Sequence, residues 1–183
     1  MRLYSPGVVT ELKEALGRYV GVHGECICVG SGAEHLIDFV AQSFLRACDN
    51  VVSVVPSFFI YGSRVSLCDA RVVEVPLRGD LSLDVDGVLA KCSDKTRLVF
   101  VCSPNNPTGN EFGWDEIEAL ADGCSALIVV DEAYAEFGES SVCRKAVEKE
   151  NVVVVRTFSK AFGLAGLRFG YLVANERLAS GLS

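Results

Sequence analysis

One lysine, Lys160, lies among residues that could make it a nucleophile. The segment 156–168 (RTFSKAFGLAGLR) surrounds it with apolar side chains, the hydroxyls of Thr157 and Ser159 and the guanidinium of Arg168. Arginine suits phosphate, and a lysine in a partly desolvated, cationic site is activated as a nucleophile. The segment therefore predicts a reactive amine beside a phosphate-binding site.

A carboxylate follows one of the apolar runs. Asp131 comes directly after residues 126–130, which read as a buried strand, and Tyr134 lies three residues further on. A carboxylate at the end of a buried strand is costly unless it meets a positive partner. We expect Asp131 to bind a cationic group that Tyr134 also reaches; the alternative is that Asp131 caps the next helix.

Two more polar turns follow predicted strands. In residues 30–34 (GSGAE), glycines let a ligand approach the backbone, and the next helix offers free N–H groups to an anion, although any such turn can contain two glycines. Residues 103–110 (SPNNPTGN) form a rigid turn that does not by itself require the adjacent Asn105 and Asn106. Because ligands gather at the carboxyl ends of parallel strands, all of these segments are expected at one site.

These residue types together favour one cofactor, pyridoxal phosphate. It needs a lysine for a Schiff base, an acid that keeps its ring nitrogen protonated, a phosphate cradle and oriented hydrogen-bonding groups. A nucleotide-binding Rossmann domain is the weaker interpretation. His35 stands where G-x-G-x-x-G needs its third glycine, and the P-loop pattern is absent.

The elements that must position these residues alternate along the chain. Continuous apolar runs predict a parallel sheet covered by helices on both faces, and helical spacing of apolar residues predicts the helices between them. Too few residues separate Lys160 from the last strand for a helical crossover, so that strand is predicted to be antiparallel. The predicted fold is a one-domain α/β three-layer sandwich around a mainly parallel seven-stranded sheet. The predicted strands are 26–29, 51–55, 71–75, 98–102, 126–130, 152–156 and 169–173, and the helices 8–20, 34–47, 58–67, 85–91, 114–121 and 143–149.

Composition excludes several classes of protein. Hydrophobic residues make up 50% of the 183 residues, which rules out a disordered chain, and the net charge of −7 disfavours nucleic-acid binding. No apolar run reaches the roughly 18–20 residues of a membrane helix, and the start lacks a signal peptide, so we expect a cytoplasmic protein. The 8 cysteines form no C-x-x-C pair and only 2 histidines are present, so we expect no metal site and read most cysteines as core residues in a reducing compartment.

Three motifs resemble those of a known family. Residues 103–110, 130–134 (VDEAY) and 156–171 (RTFSKAFGLAGLRFGY) are similar, in order and separation, to motifs of the fold-type I aminotransferases of class I/II. Within that family the chain most closely resembles the histidinol-phosphate aminotransferases, from residue 2 to residue 175. Family members are longer. The resemblance therefore implies that residues 1–183 are the pyridoxal-phosphate-binding large domain, without an N-terminal arm and a small C-terminal domain.

The resemblance also implies which residues contact the cofactor ring. Lys160 would hold the cofactor covalently and then move the substrate's α-proton as general base and acid. Asp131 would pair with the pyridinium nitrogen, and Tyr134 and Asn106 would hydrogen-bond the 3′-oxygen. Phe58 matches the aromatic residue that stacks on the ring, although a phenylalanine after a strand is more often a core residue.

A second group matches the phosphate site of the family. Ala33 stands where the family often has a hydroxyl side chain, which weakens the cradle but spares its backbone donors. Tyr4 matches a tyrosine that reaches the phosphate of the neighbouring subunit and so implies a homodimer. The expected phosphate ligands are Thr157, Ser159, Arg168 and the backbone N–H groups of Ala33 and Glu34.

The activity implied by the resemblance is transfer of an amino group between histidinol phosphate, or a related amino acid, and 2-oxoglutarate. One alternative is a pyridoxal-phosphate decarboxylase of the same superfamily, such as one acting on threonine phosphate. A different class is a non-catalytic cofactor-binding fragment, because in the family the small domain supplies an arginine for the substrate.

Overall fold

The structure, a computed structural model, describes residues 6–183; Tyr4 lies outside the described residues. Short 3₁₀ helices at Gly24–Cys26, Ala135–Phe137 and Ala165–Leu167 interrupt the loops. The α-helices are α1 (Pro6–Val20), α2 (Ala33–Phe44), α3 (Ile60–Ser66), α4 (Val85–Lys91), α5 (Trp114–Gly123), α6 (Cys143–Ala146) and α7 (Glu176–Gly181). The strands are β1 (Ile27–Gly30), β2 (Asn50–Val55), β3 (Arg71–Pro76), β4 (Thr96–Cys102), β5 (Leu127–Asp131), β6 (Val152–Thr157) and β7 (Gly170–Val173).

All of these strands form one 7-stranded sheet in the order β1-β7-β6-β5-β4-β2-β3. Strand β7 runs antiparallel to both neighbours, with Gly170 opposite Thr157 on one side and Gly30 on the other. The remaining neighbours pair in parallel. The antiparallel last strand and the α/β sandwich are therefore confirmed. The physical reason is the one expected: the connection from β6 to β7 contains only a 3₁₀ turn, which is too short for a crossover helix.

The sheet is buried on both faces because successive residues of its central strands enter two different apolar clusters. On β5, Ile128 and Val130 pack in one cluster, whereas Leu127 and Val129 pack in the other. Helices α1, α4, α5 and α6 cover the first face, and α2, α3 and α7 cover the second. This division explains why the strand sequences are apolar at nearly every position.

Element boundaries differ from the prediction where tertiary contacts intervene. Helix α3 begins at Ile60 rather than at residue 58, because Asn105 ties the preceding turn: its amide donates to the Pro56 carbonyl, and its carbonyl accepts from Ser57. Helix α2 ends at Phe44, since the next residue is already extended. Helix α7 was not predicted, although Asn175 is an N-cap whose side chain accepts from the Leu178 N–H at 2.9 Å.

Among the described residues every cysteine is free, and Cys26, Cys28, Cys102 and Cys143 are buried as small core side chains. The core interpretation does not extend to Cys48, which is exposed. Within residues 6–183 no group of three or more potential ligands could hold a metal ion. None of the helices in this range is long and apolar enough to cross a membrane.

Candidate active site

A cavity of about 180 Å³ lies at the carboxyl ends of β4, β5 and β6, beside the first turn of α2. Parallel sheets place ligands at this edge. Every predicted site residue within the described chain lines it: Ala33, Glu34, Phe58, Asn106, Asp131, Tyr134, Thr157, Ser159, Lys160 and Arg168. A larger groove of about 920 Å³ beside α7 contains none of these residues, so its size does not make it the candidate site.

Asp131 provides the cavity with a buried carboxylate. It ends β5 and is 2% exposed. Its Oδ1 accepts a hydrogen bond from the backbone N–H of Ala133 at 3.1 Å, and its Oδ2 accepts one from the Tyr61 hydroxyl at 2.8 Å. Burial raises the pKa of Asp131, and these two donors oppose that shift. The carboxylate therefore lacks a full counter-charge, as a site for a cationic ligand group requires.

Lys160 lies in the same cavity, with its Nζ 5.1 Å from the centre of the Tyr134 ring. Its positive charge acts to lower the pKa of Asp131. The expectation that apolar neighbours desolvate Lys160 is wrong for this chain, because the lysine is exposed. Phe162 and Leu167, in the loop that follows, are themselves 39% and 69% exposed and do not shield it.

An anion cradle forms where the β1–α2 turn meets β7. Gly32 is the N-cap of α2, has φ +88°, and carries no side chain that could accept from the first-turn N–H groups of Ala33 and Glu34. A Cβ on Gly32 would lie 2.9 Å from Nη2 of Arg168, so the guanidinium lies directly against this turn. The helix N-terminus and an arginine thus converge, which is a favourable arrangement for phosphate.

Two hydroxyls extend this cradle. Thr157 ends β6 and Ser159 lies just beyond it, and their Oγ atoms are 3.0 Å apart. The backbone N–H of Ser159 donates to Thr157 Oγ1 at 3.2 Å, which fixes the turn leading to Lys160. The predicted phosphate ligands of the described chain therefore lie together, on three separate segments.

The two neighbouring asparagines have different surroundings. Asn105 is 3% exposed, and its amide donates to Pro56 and Thr108, so it holds the turn together. Within the described chain the Asn106 side chain has no hydrogen-bond partner, and it lines the cavity beside Tyr134. Asn105 therefore stabilises the turn, whereas the side-chain amide of Asn106 is available to a ligand in the cavity.

Phe58 is both a core residue and a residue of the cavity wall. Its ring contacts Tyr61 edge-on, with centroids 5.9 Å apart, and packs against the core on the α2–α3 side of the sheet. It also lines the cavity. One face of the ring is therefore available to a flat ligand.

The comparison that decides the family covers the whole chain. The family model "Aminotransferase class I and II" matches residues 1–183. The chain belongs to this family.

Similar proteins are about twice as long as this aminotransferase-family chain. Histidinol-phosphate aminotransferase of Ruminiclostridium cellulolyticum is 39% identical over 182 residues, which cover 97% of the chain and 51% of that protein. The protein of the same name from Roseiflexus castenholzii is 42% identical over 168 residues, covering 91% and 45%. The crystal structure of histidinol-phosphate aminotransferase from Sinorhizobium meliloti in complex with pyridoxal-5′-phosphate has a TM-score of 0.88 at 30% identity, covering 97% and 50%. The chain spans about half the length of the relatives it matches.

A buried ionic cluster, which the sequence did not predict, lies next to the candidate active site. Arg156, 6% exposed at its side chain, donates to Glu132 at 2.7 Å and to Glu136 at 2.6 Å. The Glu132 carboxylate also accepts from the Val142 backbone N–H at 2.7 Å. These bonds tie the end of β6, which leads to Lys160, to the loop after Asp131. The sequence shows that Glu132 and Arg156 are charged residues, but it does not show that they pair, because their pairing depends on the order of the strands in the sheet.

Arg156→Met should lower the free energy of unfolding by about 3–5 kcal/mol, because it leaves the buried Glu132 and the partly buried Glu136 without their cationic partner. The matched control is Arg78→Met, which removes a surface pair with Asp84 at 3.1 Å and side chains 49% and 34% exposed. The control should cost at most about 1 kcal/mol. Urea unfolding of the two variants measures the difference, and equal losses would contradict a structural role for the cluster.

Proposed function

We propose that this chain is the pyridoxal-phosphate-binding large domain, residues 1–183, of a histidinol-phosphate-type aminotransferase. The observation that carries the proposal is the single cavity that contains Lys160, Asp131 and the anion cradle at Gly32. The names of the relatives support histidinol phosphate as the amino donor. A related amino acid as donor and 2-oxoglutarate as acceptor are what the family resemblance implies.

The donor set fits this cofactor part by part. The first-turn N–H groups of α2, with Arg168, suit a phosphate dianion. Asp131 is a buried carboxylate whose raised pKa reports a missing cationic partner, which a protonated ring nitrogen provides. The same cavity is lined by Lys160, which is exposed, and by Asn106, whose side-chain amide has no hydrogen-bond partner among the described residues.

When bound, pyridoxal phosphate supplies an aldehyde that condenses with amines and a protonated ring that accepts the electrons of the substrate's Cα–H bond. Lys160 holds the cofactor and, once released, moves the α-proton as general base and acid. Asp131 holds the proton on the ring nitrogen through its carboxylate. Asn106 and Tyr134 would hydrogen-bond the 3′-oxygen of the cofactor, and Phe58 would lie against the face of its ring.

Exposed apolar side chains near the site support a second copy of this chain as partner. Phe59, Phe137 and Leu167 are 79%, 69% and 69% exposed, which is unusual for large apolar residues near a cavity. The family resemblance implies that Tyr4, which lies outside the described residues, would contact the phosphate of the neighbouring subunit in such a homodimer. The free cysteines support a reducing, cytoplasmic location.

One observation favours a second candidate, a cofactor-binding module without turnover. Lys160 is exposed in the described chain, and an open site lets water compete for reactive groups. The two candidates differ in what an amino donor does to the loaded chain.

The test is the visible absorbance of the chain after loading with pyridoxal phosphate. Histidinol phosphate should bleach the visible band, and 2-oxoglutarate should restore it. A band that no amino donor bleaches would contradict the transferase and support the module. The same persistent band together with release of carbon dioxide from threonine phosphate would instead support a decarboxylase, because loss of carbon dioxide and reprotonation return the cofactor to its aldehyde form. The absence of any band would contradict all of these candidates.

Gly32→Ala should weaken pyridoxal-phosphate binding by about 10- to 100-fold, because the added Cβ displaces the Arg168 guanidinium and strains a φ of +88°. Binding of pyridoxal, which has no phosphate, should change little. The matched control is Gly21→Ala: Gly21 also has a positive φ, +79°, and its Cβ would also contact an arginine, Arg144, but outside the cavity.

Fluorescence titration with both ligands gives the comparison. If Gly32→Ala weakens the binding of pyridoxal and of pyridoxal phosphate equally, the phosphate does not bind at Gly32. The same conclusion follows if Gly21→Ala and Gly32→Ala weaken pyridoxal-phosphate binding equally.

A further inference from the structure

Tyr61 contacts the Asp131 carboxylate from inside the protein. It lies in α3, is 1% exposed, and does not line the cavity. Its ring is stacked on Phe100 of β4, with centroids 4.6 Å apart and planes within 3°. Its hydroxyl donates to Oδ2 of Asp131 at 2.8 Å. The stacking fixes the ring, so the direction from which this hydrogen bond reaches the carboxylate is fixed as well.

This hydrogen bond matters because Asp131 has few stabilising contacts. The other donor to its carboxylate is the Ala133 backbone N–H, which binds Oδ1. Burial raises the pKa of Asp131, the neighbouring Glu132 raises it further, and the hydrogen bond from Tyr61 lowers it. Among the described residues, the titratable side chains that interact with Asp131 are Tyr61 from α3, Cys102 from β4, Glu132 from the loop after β5 and Lys160 from the loop after β6.

Two of these groups stay neutral while Asp131 titrates. Burial raises the pKa of the Cys102 thiol to about 12. Burial and the Asp131 charge together raise the pKa of the Tyr61 hydroxyl well above 10.0. Tyr61 therefore acts as a neutral donor over the whole range in which Asp131 gains or loses its proton.

We propose that Tyr61 is a positioning residue that keeps the Asp131 carboxylate ionised and fixes its orientation toward the ring nitrogen of the bound cofactor. This rests on the proposed function. A hydrogen bond to one carboxylate oxygen from the protein side restricts rotation and leaves lone pairs free on the cavity side. A protonated Asp131 would offer the ring nitrogen no charge, so its ionisation and its function are coupled.

The chain offers a matched pair of variants. Tyr61→Phe keeps the ring stacked on Phe100 and removes only the hydroxyl. Tyr171→Phe also removes a buried hydroxyl, and among the described residues that hydroxyl has no hydrogen-bond partner. A role in core packing alone predicts similar behaviour for the two variants.

The direct test is a ¹³C NMR titration of the Asp131 carboxyl group in the cofactor-free chain. Tyr61→Phe should raise the pKa of Asp131 by about 1 to 2, since a hydrogen bond to a charged group contributes about 1.5–3 kcal/mol. Tyr171→Phe should leave this pKa unchanged. An unchanged pKa in Tyr61→Phe, or equal shifts in both variants, would overturn the inference.

A second readout is the pH dependence of pyridoxal-phosphate affinity. Tyr61→Phe should weaken binding more toward acidic pH than toward alkaline pH, because the raised pKa of Asp131 leaves less of its carboxylate ionised at the acidic end and alkaline pH restores it. An equal loss at every pH would show a packing defect and contradict the inference. If the unmodified chain binds no pyridoxal phosphate, the proposed function fails, while the NMR titration still decides the role of Tyr61.

Discussion

Lys160→Ala is expected to abolish the visible absorbance band that the chain acquires with pyridoxal phosphate. Within the described residues Lys160 is the one lysine that lines the cavity, and covalent attachment needs a primary amine at that place. The cradle at Gly32 is untouched, so the variant should still bind the phosphate non-covalently. Spectral titration measures the band, and equilibrium dialysis measures the retained binding.

The matched control for this variant is Lys145→Ala. Lys145 is also exposed and also lies over an aromatic ring, that of Trp114 at 5.8 Å, but it is not part of the cavity. Its loss should leave the band at full intensity. A band that persists in Lys160→Ala, or that disappears in both variants, would refute the assignment of the covalent lysine.

Asp131→Asn should slow the half-reaction of the loaded chain by about 100- to 1,000-fold, as removal of a preorganised electrostatic partner does in other enzymes. Asparagine preserves the shape, and its Oδ1 can still accept from the Ala133 N–H while its Nδ2 donates to the Tyr61 hydroxyl, but it carries no charge for the ring nitrogen. The matched control is Asp49→Asn, which alters a buried carboxylate paired with Arg97 away from the cavity. Stopped-flow bleaching should show a normal rate in the control, and a normal rate in Asp131→Asn would contradict the proposed role.

The same substitution should have the opposite effect on the stability of the cofactor-free chain. The pKa of Asp131 is raised above its ordinary 3.8 in the folded state, so its ionisation destabilises the fold as pH rises through the folded-state value. Asparagine is not subject to this loss. Asp131→Asn should therefore be more stable than the unmodified chain at neutral pH and show no such advantage below pH 3.8, as urea unfolding at several pH values would report.

Local patterns predict the elements and the site because each depends on neighbours in sequence. The apolar run ending at Asp131 becomes β5, and the short connection after Lys160 makes β7 antiparallel. Polar residues at or just beyond the carboxyl ends of parallel strands must meet at one edge of the sheet, so Asn106, Asp131 and Thr157 lie around one cavity. These consequences follow from strand direction and need no knowledge of side-chain packing.

The features that the sequence left open depend on contacts between distant segments. Tyr61 reaches Asp131 across a separation of 70 residues, and Arg156 reaches Glu132 across 24. Nothing near Tyr61 in sequence distinguishes its hydroxyl from that of a surface tyrosine. Apolar composition around Lys160 predicted burial, yet Phe162 and Leu167 stay 39% and 69% exposed. Tyr19 of α1 contacts the Phe162 ring edge-on, but this contact does not bury it.

The most direct test is borohydride reduction of the chain with pyridoxal phosphate, followed by peptide mapping of the modified lysine. Reduction converts the lysine–cofactor linkage into a stable bond, so the modified peptide identifies the amine that formed it. We predict modification at Lys160 in near-stoichiometric yield. Excess inorganic phosphate should lower that yield, because it competes for the anion cradle. Modification spread over surface lysines such as Lys145, or none at all, would contradict it.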